Sequence, residues 1–280
     1  MAHCAKPPSL NNTWDFYRTE KETKKSRRRT EEWIIPTLRR FYGTSTGIQA
    51  VSVGCGSAID VAVLRQHGYV CWGTDLAAGC RPEARAAFVQ ADACSLPFKS
   101  SGFDLTMCFE AFEHIGAPNT NLAWKPRPEY RANRKKAALE LLRVTKPGGL
   151  VILVTPNRFF PVDEHGTGKT SLRWHMPFGD QTLSYFELKH LFLPACEEMG
   201  VLAYGRYFEL EKLRRLGGLW TARFVSSILP AFSSRLLHIF GPHLFVYFRK
   251  AGSTEGACPA NTSSTNAVRG PASAFPRDHV

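Results

Sequence analysis

No two of the eight cysteines are spaced C-x-x-C. Cys4, Cys55, Cys71, Cys80, Cys94, Cys108, Cys196 and Cys258 stand singly, most of them within apolar runs. This excludes a zinc ribbon or a dense disulfide scaffold, and lone thiols of this kind suit a reducing compartment. Residues 1–49 hold no apolar core of signal-peptide length, so a cytoplasmic location is expected. The most apolar stretch, residues 219–248, is broken by Arg223, Pro230, Arg235 and Pro242 and holds two histidines. A spanning helix needs about 20 nearly uncharged residues, so no transmembrane segment is expected. No internal repeat is visible. With 280 residues, 44% hydrophobic and 12% aromatic, the chain is neither wholly disordered, collagenous nor a coiled coil. It has room for one sizeable α/β domain or two small ones.

What is present is a basic surplus, 36 Lys+Arg against 24 Asp+Glu, a net charge of +12. Residues 1–43 hold ten basic and five acidic residues, and the tail, 251–280, holds two of each. The first cluster comprises Lys21, Lys24, Lys25, Arg27, Arg28 and Arg29, and the second runs from Lys125 to Lys146. Either is a solvated helix face or a contact for an anionic partner, including a membrane surface. The tail is rich in Ser, Thr, Ala, Pro and Gly; it has too little apolar surface to offset ordering and reads as a disordered, low-complexity segment.

Between these ends, short apolar runs alternate with helical patterns, the signature of a parallel sheet with crossover helices. Strands are expected at 48–53, 70–75, 87–91, 103–109, 150–155, near 201–207 and at 244–248. Helices are expected at 59–66, 125–144 and 182–199. Ahead of the sheet, residues 31–42 read as an amphipathic helix carrying Trp33, Ile34, Leu38 and Phe41. The organisation is therefore a basic helical extension (1–43), one domain (44–250) and the tail (251–280).

The first strand runs into Gly54-Cys55-Gly56-Ser57-Ala58 and then a helix. Glycines there allow a sharp turn and close approach of backbone to a ligand, with helix amides beyond. Asp75 ends the second strand, where a carboxylate can accept both hydroxyls of a ribose. Asp92 closes the third, where it could receive an exocyclic amine. For each aspartate a helix cap or turn residue is the alternative.

Together with Gly73-Thr74-Asp75-Leu76, Ala91-Asp92-Ala93-Cys94-Ser95-Leu96-Pro97-Phe98, Phe103-Asp104-Leu105, Glu113-His114-Ile115 and Leu142-Arg143-Val144-Thr145-Lys146-Pro147-Gly148-Gly149, the turn resembles the ordered motifs of class I S-adenosylmethionine-dependent methyltransferases. The nearest branch is that of the ubiquinone-biosynthesis type, and the resemblance covers residues 44–160. It implies a Rossmann-like three-layer α/β sandwich with a seven-stranded, mostly parallel sheet, and S-adenosyl-L-methionine as cofactor. It further implies that Gly54, Cys55 and Gly56 line the methionine and ribose end, that Asp75 holds the ribose with Leu76 against the adenine, and that Asp92 and Ala93 meet the adenine edge. Phe109 and Glu110 would lie beside the methionine moiety. The family usually has an acidic residue where Ser52 stands and a third glycine where Ala58 stands.

Methyl transfer requires alignment above all, and a general base where the acceptor arrives protonated. Glu113 and His114 follow the fourth strand on the acceptor rim, and His165 lies beside Glu164 in the loop after the fifth; these are the catalytic candidates. Phe159, Phe160, Trp174 and Phe178 could wall an apolar acceptor. Phe109-Glu110-Ala111-Phe112 stands where amino-methylating nucleic-acid enzymes carry a Pro-Pro-aromatic motif, and Cys108 follows Met107 rather than proline. The expected activity is methylation, at oxygen first, of a small-molecule or lipid-like acceptor. Two rivals stay open: an RNA methyltransferase using the basic clusters, and a non-catalytic protein that keeps the fold.

Overall fold

Apolar runs rich in β-branched residues become strands buried on both faces, as a parallel sheet covered by helices requires. The computed structural model describes residues 20–43, 47–77, 79–116, 129–159, 162–163, 173–174, 182–202 and 243–252. In chain order the strands are β1 (Gln49–Val53), β2 (Val70–Asp75), β3 (Phe88–Gln90), β4 (Phe103–Phe109), β5 (Thr145–Pro156), β6 (Val162–Asp163), β7 (Arg173–Trp174), β8 (Cys196–Val201) and β9 (His243–Lys250). Seven of them form one sheet in the order β3-β2-β1-β4-β5-β9-β8, while β6 and β7 pair as a separate ribbon. The first five strands of the sheet are mutually parallel, and β9 is antiparallel to β5 and β8. The expected seven-stranded, mostly parallel Rossmann-like sheet is thus observed.

The helices are α1 (Glu20–Arg29), α2 (Ile35–Tyr42), α3 (Ile59–Gln66), α4 (Tyr130–Val144) and α5 (Tyr185–Phe192). Alternation along each strand sends side chains to two cores. One face packs Ala50, Leu105, Met107, Leu150 and Ile152 against Val63 and Leu64 of α3 and Ile34, Ile35 and Leu38 of the N-terminal segment. The other packs Val51, Val53, Val151 and Leu153 against Leu141 and Leu142 of α4 and Leu188 and Phe192 of α5. Three layers result.

The N-terminal helix begins eleven residues before the expected 31 and runs through a π turn, Thr30–Ile34. Pro36 explains the turn: within a regular helix its ring would clash with the carbonyl four residues back. Here Ile35 N–H donates instead to Thr30 O, and the Thr30 hydroxyl to Ser26 O. The expected helix over 182–199 is corrected. It stops at Phe192, because Pro194 lacks the amide needed to continue, and the strand expected at 201–207 begins at Cys196 instead. Residues 203–207, 125–128 and most of 219–248 lie outside the described residues, as does the tail beyond 252. Among the described residues, no helix is long and apolar enough to cross a membrane.

Asp104 joins the extension to the sheet. Its carboxylate accepts from Gln49 N (3.0 Å) and Lys146 Nζ (2.7 Å), and its carbonyl from Tyr42 Oη (2.6 Å). Burial, with Asp104 adding to it, pushes the Tyr42 hydroxyl up to about 12.

Candidate functional site

The chain leaves β1 in opposite directions: β2 and β3 lie to one side, β4 and β5 to the other. At such a switch point the loops beyond the strand ends separate and leave a crevice for a ligand. The candidates among the described residues follow the ends of β1, β2, β3 and β4.

After β1, Gly54 (φ 71°), Gly56 (φ 53°) and Ala58 (φ 57°) all take left-handed backbone. Gly54 N and Cys55 N both donate to Thr74 O at the end of β2, at 2.7 and 3.1 Å. A Cβ on Gly54 would lie 2.3 Å from Ala111 Cβ, so the turn abuts the segment that follows β4. Only glycine fits there. Ala58 adopts the same backbone region with its methyl group buried, which answers the departure noted there.

Asp75 is positioned by main chain on both sides. Its Oδ2 accepts from Gly56 N (2.8 Å) and its Oδ1 from Ala77 N (3.0 Å). Each carboxylate oxygen keeps a further lone pair, so the pair can still accept two hydroxyls. Beside it Leu76 is 63% exposed, an apolar side chain held out at the rim. An oriented carboxylate, an exposed leucine and a glycine turn suit the sugar, base and thioether parts of S-adenosylmethionine. Asp92 forms a turn of its own: Oδ1 accepts from Cys94 N (2.8 Å) and its carbonyl from Ser95 N (2.9 Å). Ala93 packs against the second core.

Ser52 is buried, and its hydroxyl donates to Asp60, which comes from the first turn of α3 and is 3% exposed. The carboxylate absent at position 52 is therefore present beside it. Burial pushes the Asp60 carboxyl up, opposed by Arg29 and by the Ser52 hydroxyl.

On the other side of the switch point, Phe109 is buried and Glu110 turns the chain in left-handed backbone (φ 51°), its amide donating to Val154 O at 2.7 Å. The Glu110 carboxylate lies 3.2 Å from Lys25 Nζ, 3.7 Å from Arg29 Nη1 and 3.9 Å from His243 Nε2. Burial pushes this carboxyl up, but Lys25, Arg29 and His243 outweigh it and hold it well below the usual carboxylate range. Glu113 is fully buried, while His114 beside it keeps 38% of its side chain exposed. Of this pair, His114 is the member that reaches the rim. Burial, more than any neighbouring charge, lowers its pKa, which favours the neutral imidazole. Cys108 is buried and its thiol pushed far up, chiefly by burial, which removes it as a nucleophile.

His165, Phe160 and Phe178 lie outside the described residues. Phe159 is 44% exposed and meets the Phe186 ring edge-on at 6.2 Å. Several members of the basic clusters pair within the protein. Lys24, Arg27 and Arg28 pair with Glu20, Glu31 and Glu32 one turn along. In the second cluster Arg134 is buried with Nη2 on Glu113 O, and Arg143 binds Glu140 and the carbonyls of Leu96 and Phe98. Sequence reasoning singled out neither Asp60 nor His243, and it placed Lys25 and Arg29 only in a basic cluster that is either a solvated helix face or a contact for an anionic partner. The one signal for them was a lysine and an arginine four apart on a helix, and an aspartate among apolar residues just after the glycine turn.

Residues 51–153 match the model of a family described as a methyltransferase domain. Over these residues the chain is similar to methyltransferase domains. The chain resembles in fold a chain in the complex between the Haloferax volcanii Trm112 methyltransferase activator and a putative methyltransferase. The two are 17% identical over 85% of this chain and 97% of that one, with a TM-score of 0.55. It is also similar to a Thermotoga maritima S-adenosylmethionine-dependent methyltransferase described as a possible histamine N-methyltransferase (15% identity, 86% and 100% coverage, TM-score 0.48). A third similar structure is an S-adenosylmethionine-dependent methyltransferase from Mesorhizobium loti (16%, 77% and 96%, TM-score 0.47). No curated protein matches the chain by sequence.

Proposed function

We propose that the chain is a methyltransferase that acts in the cytoplasm on a hydroxyl of a small-molecule or lipid-like acceptor, as in the ubiquinone-biosynthesis-like branch. The observation that carries this reading is the place of His114, in the segment after β4 with 38% of its side chain exposed. Bound S-adenosylmethionine supplies an electrophilic methyl group. The chain's own residues have the other tasks. Gly54, Cys55 and Gly56 present backbone without side-chain obstruction, Asp75 takes the ribose hydroxyls, and Leu76 covers one face of the adenine. Asp92 and Ala93 meet the adenine edge, and Phe109 and Glu110 flank the amino-acid end.

A hydroxyl acceptor must lose its proton as it attacks, and a neutral imidazole within reach can take it. Glu113, buried 3.9 Å from His114 Nε2, can stabilise the imidazolium that forms. His165 serves in this reading as an acceptor contact from the loop after β5. A buried Cys108 and the sequence Phe109-Glu110-Ala111-Phe112 favour this chemistry over methylation of a nucleobase.

The test has two arms. Calorimetry with S-adenosylhomocysteine should give a saturable heat. Incubation of cell extract with the protein and methyl-labelled cofactor, read by mass spectrometry, should label a low-molecular-weight or lipid product at oxygen. Label confined to RNA, or no binding at millimolar ligand, would overturn the reading.

A further inference from the structure

Helices α4 and α5 pack side by side on one face of the sheet, with Leu141, Leu142, Leu188 and Phe192 in the core beneath them. Their other sides meet solvent. On α4, Arg131, Lys135 and Leu139 recur every four residues with Lys136 beside them, and all four are exposed. On α5, Phe186, Lys189 and His190 are exposed over a single turn. No carboxylate among the described residues pairs with Lys135, Lys136 or Lys189. The acids of the two helices are engaged elsewhere, Glu140 with Arg143 at 2.6 Å and Glu187 with Arg158 at 2.8 Å. Glu129, immediately before α4, is the one exposed acid over residues 129–144 and 185–192. Helix α1 offers the contrast, since Lys24, Arg27 and Arg28 each meet a glutamate one turn away.

Large apolar side chains stand among these cations. Phe186 is 60% exposed, Leu139 54% and Phe159 44%. Scattered singly, such residues would need no explanation. Here Phe159 meets Phe186 at 6.2 Å between ring centroids and Phe186 meets Tyr185 at 5.7 Å, both edge-on. Phe159 follows β5 and Phe186 lies in the first turn of α5, so the aromatic group stands at the carboxyl end of the sheet, the end that carries the crevice. We infer that this face of α4 and α5 docks on an anionic bilayer surface, Lys135, Lys136 and Lys189 lying against lipid phosphates while Phe159, Phe186 and Leu139 enter the headgroup boundary. That boundary takes both kinds of group at once: apolar side chains gain by leaving water there, and unpaired cations are drawn to the acidic leaflet. A single-stranded nucleic acid would use the lysines and stack bases on the rings, but an exposed leucine offers it no ring face. The inference concerns attachment alone and does not need the acceptor assignment; it sets the mouth of the crevice beside the lipid phase.

The experiment is co-sedimentation of the full chain with vesicles, without added cofactor. The protein should bind phosphatidylcholine vesicles that contain phosphatidylglycerol, less so as salt is raised, and bind pure phosphatidylcholine at least about tenfold more weakly. Lys135→Gln, Lys136→Gln and Lys189→Gln together should lower binding to the acidic vesicles about tenfold or more. Phe186→Ser should lower it about fivefold or more, through the apolar surface lost. The control removes the same charge from the other cluster: Lys24→Gln, Arg27→Gln and Arg28→Gln together should leave binding within about twofold of wild type. All of these positions are exposed, so unchanged far-ultraviolet spectra and urea midpoints should report that the variants are folded. No binding to acidic vesicles, or equal loss in the two triple variants, overturns the inference. Retention on RNA that depends on Lys135, Lys136 and Lys189, without vesicle binding, assigns the face to nucleic acid and overturns it too. Any of these failures leaves the methyl-transfer reading standing, since that is read from the heat of S-adenosylhomocysteine binding and the labelled product.

Discussion

Replacing Gly54 with alanine should be among the most damaging single-methyl changes in the protein, and its cost divides into two parts. At φ 71° an L-residue bears a steric penalty of about 1–2 kcal/mol. The added Cβ would also lie 2.3 Å from Ala111 Cβ, where ordinary contact begins near 3.4 Å, so more than an ångström of backbone displacement is needed. Overpacking of that kind costs about 1–3 kcal/mol. Together they remove about 2–5 kcal/mol from a total that for a domain of this size is about 5–15 kcal/mol. Urea unfolding followed by circular dichroism measures the sum, and Gly54→Ala combined with Ala111→Gly separates the parts. The double variant should recover the overlap and retain the backbone penalty, giving a favourable coupling of about 1–3 kcal/mol. A coupling below about 0.5 kcal/mol would show that the turn does not abut the segment after β4.

Asp75→Asn turns an amide NH2 toward Gly56 N or Ala77 N, both of which are donors, and should weaken S-adenosylhomocysteine at least about tenfold by calorimetry while leaving the far-ultraviolet spectrum unchanged. His114→Ala should lower turnover about tenfold or more at saturating cofactor. In the wild type, because burial lowers the imidazole pKa, the acid limb of the rate profile should fall below the free-imidazole value of about 6.5; a limb above it would remove His114 as the base. The Asp60 carboxyl is raised on folding, so the folded state binds its proton more tightly, and stability is fully present below about pH 4 and lost as pH rises through the raised value. Asp60→Asn should flatten that slope in urea midpoints measured from pH 4 to 8, and an unchanged slope would show that Asp60 does not titrate there.

The strands around the site were legible because buried parallel strands write themselves as apolar runs and their ends as Gly or Asp. Residues 59–66, 70–75 and 103–109 match the observed α3, β2 and β4 to the residue. The chain after Leu183 was harder. Its apolar residues fit a helix as well as a strand, and Pro194 decided between them. Helix α1 gave no periodic signal, since its ten residues EKETKKSRRR contain no apolar side chain. Its place is set by Glu110, a partner far along the chain. Asp60 was hidden for a similar reason: a polar residue in a first turn reads as a cap until the strand beneath shows it facing Ser52.

The π turn at Thr30–Ile34 acts as a phase shifter between two halves of one rod. Its downstream half is anchored by Ile34, Ile35 and Leu38, and its upstream half carries the ammonium and guanidinium groups. Deleting one residue from the turn would swing the upstream half by about 100° relative to the downstream half, while the anchor stayed seated. Length within these five residues therefore governs where the charges point, independently of how well the segment adheres.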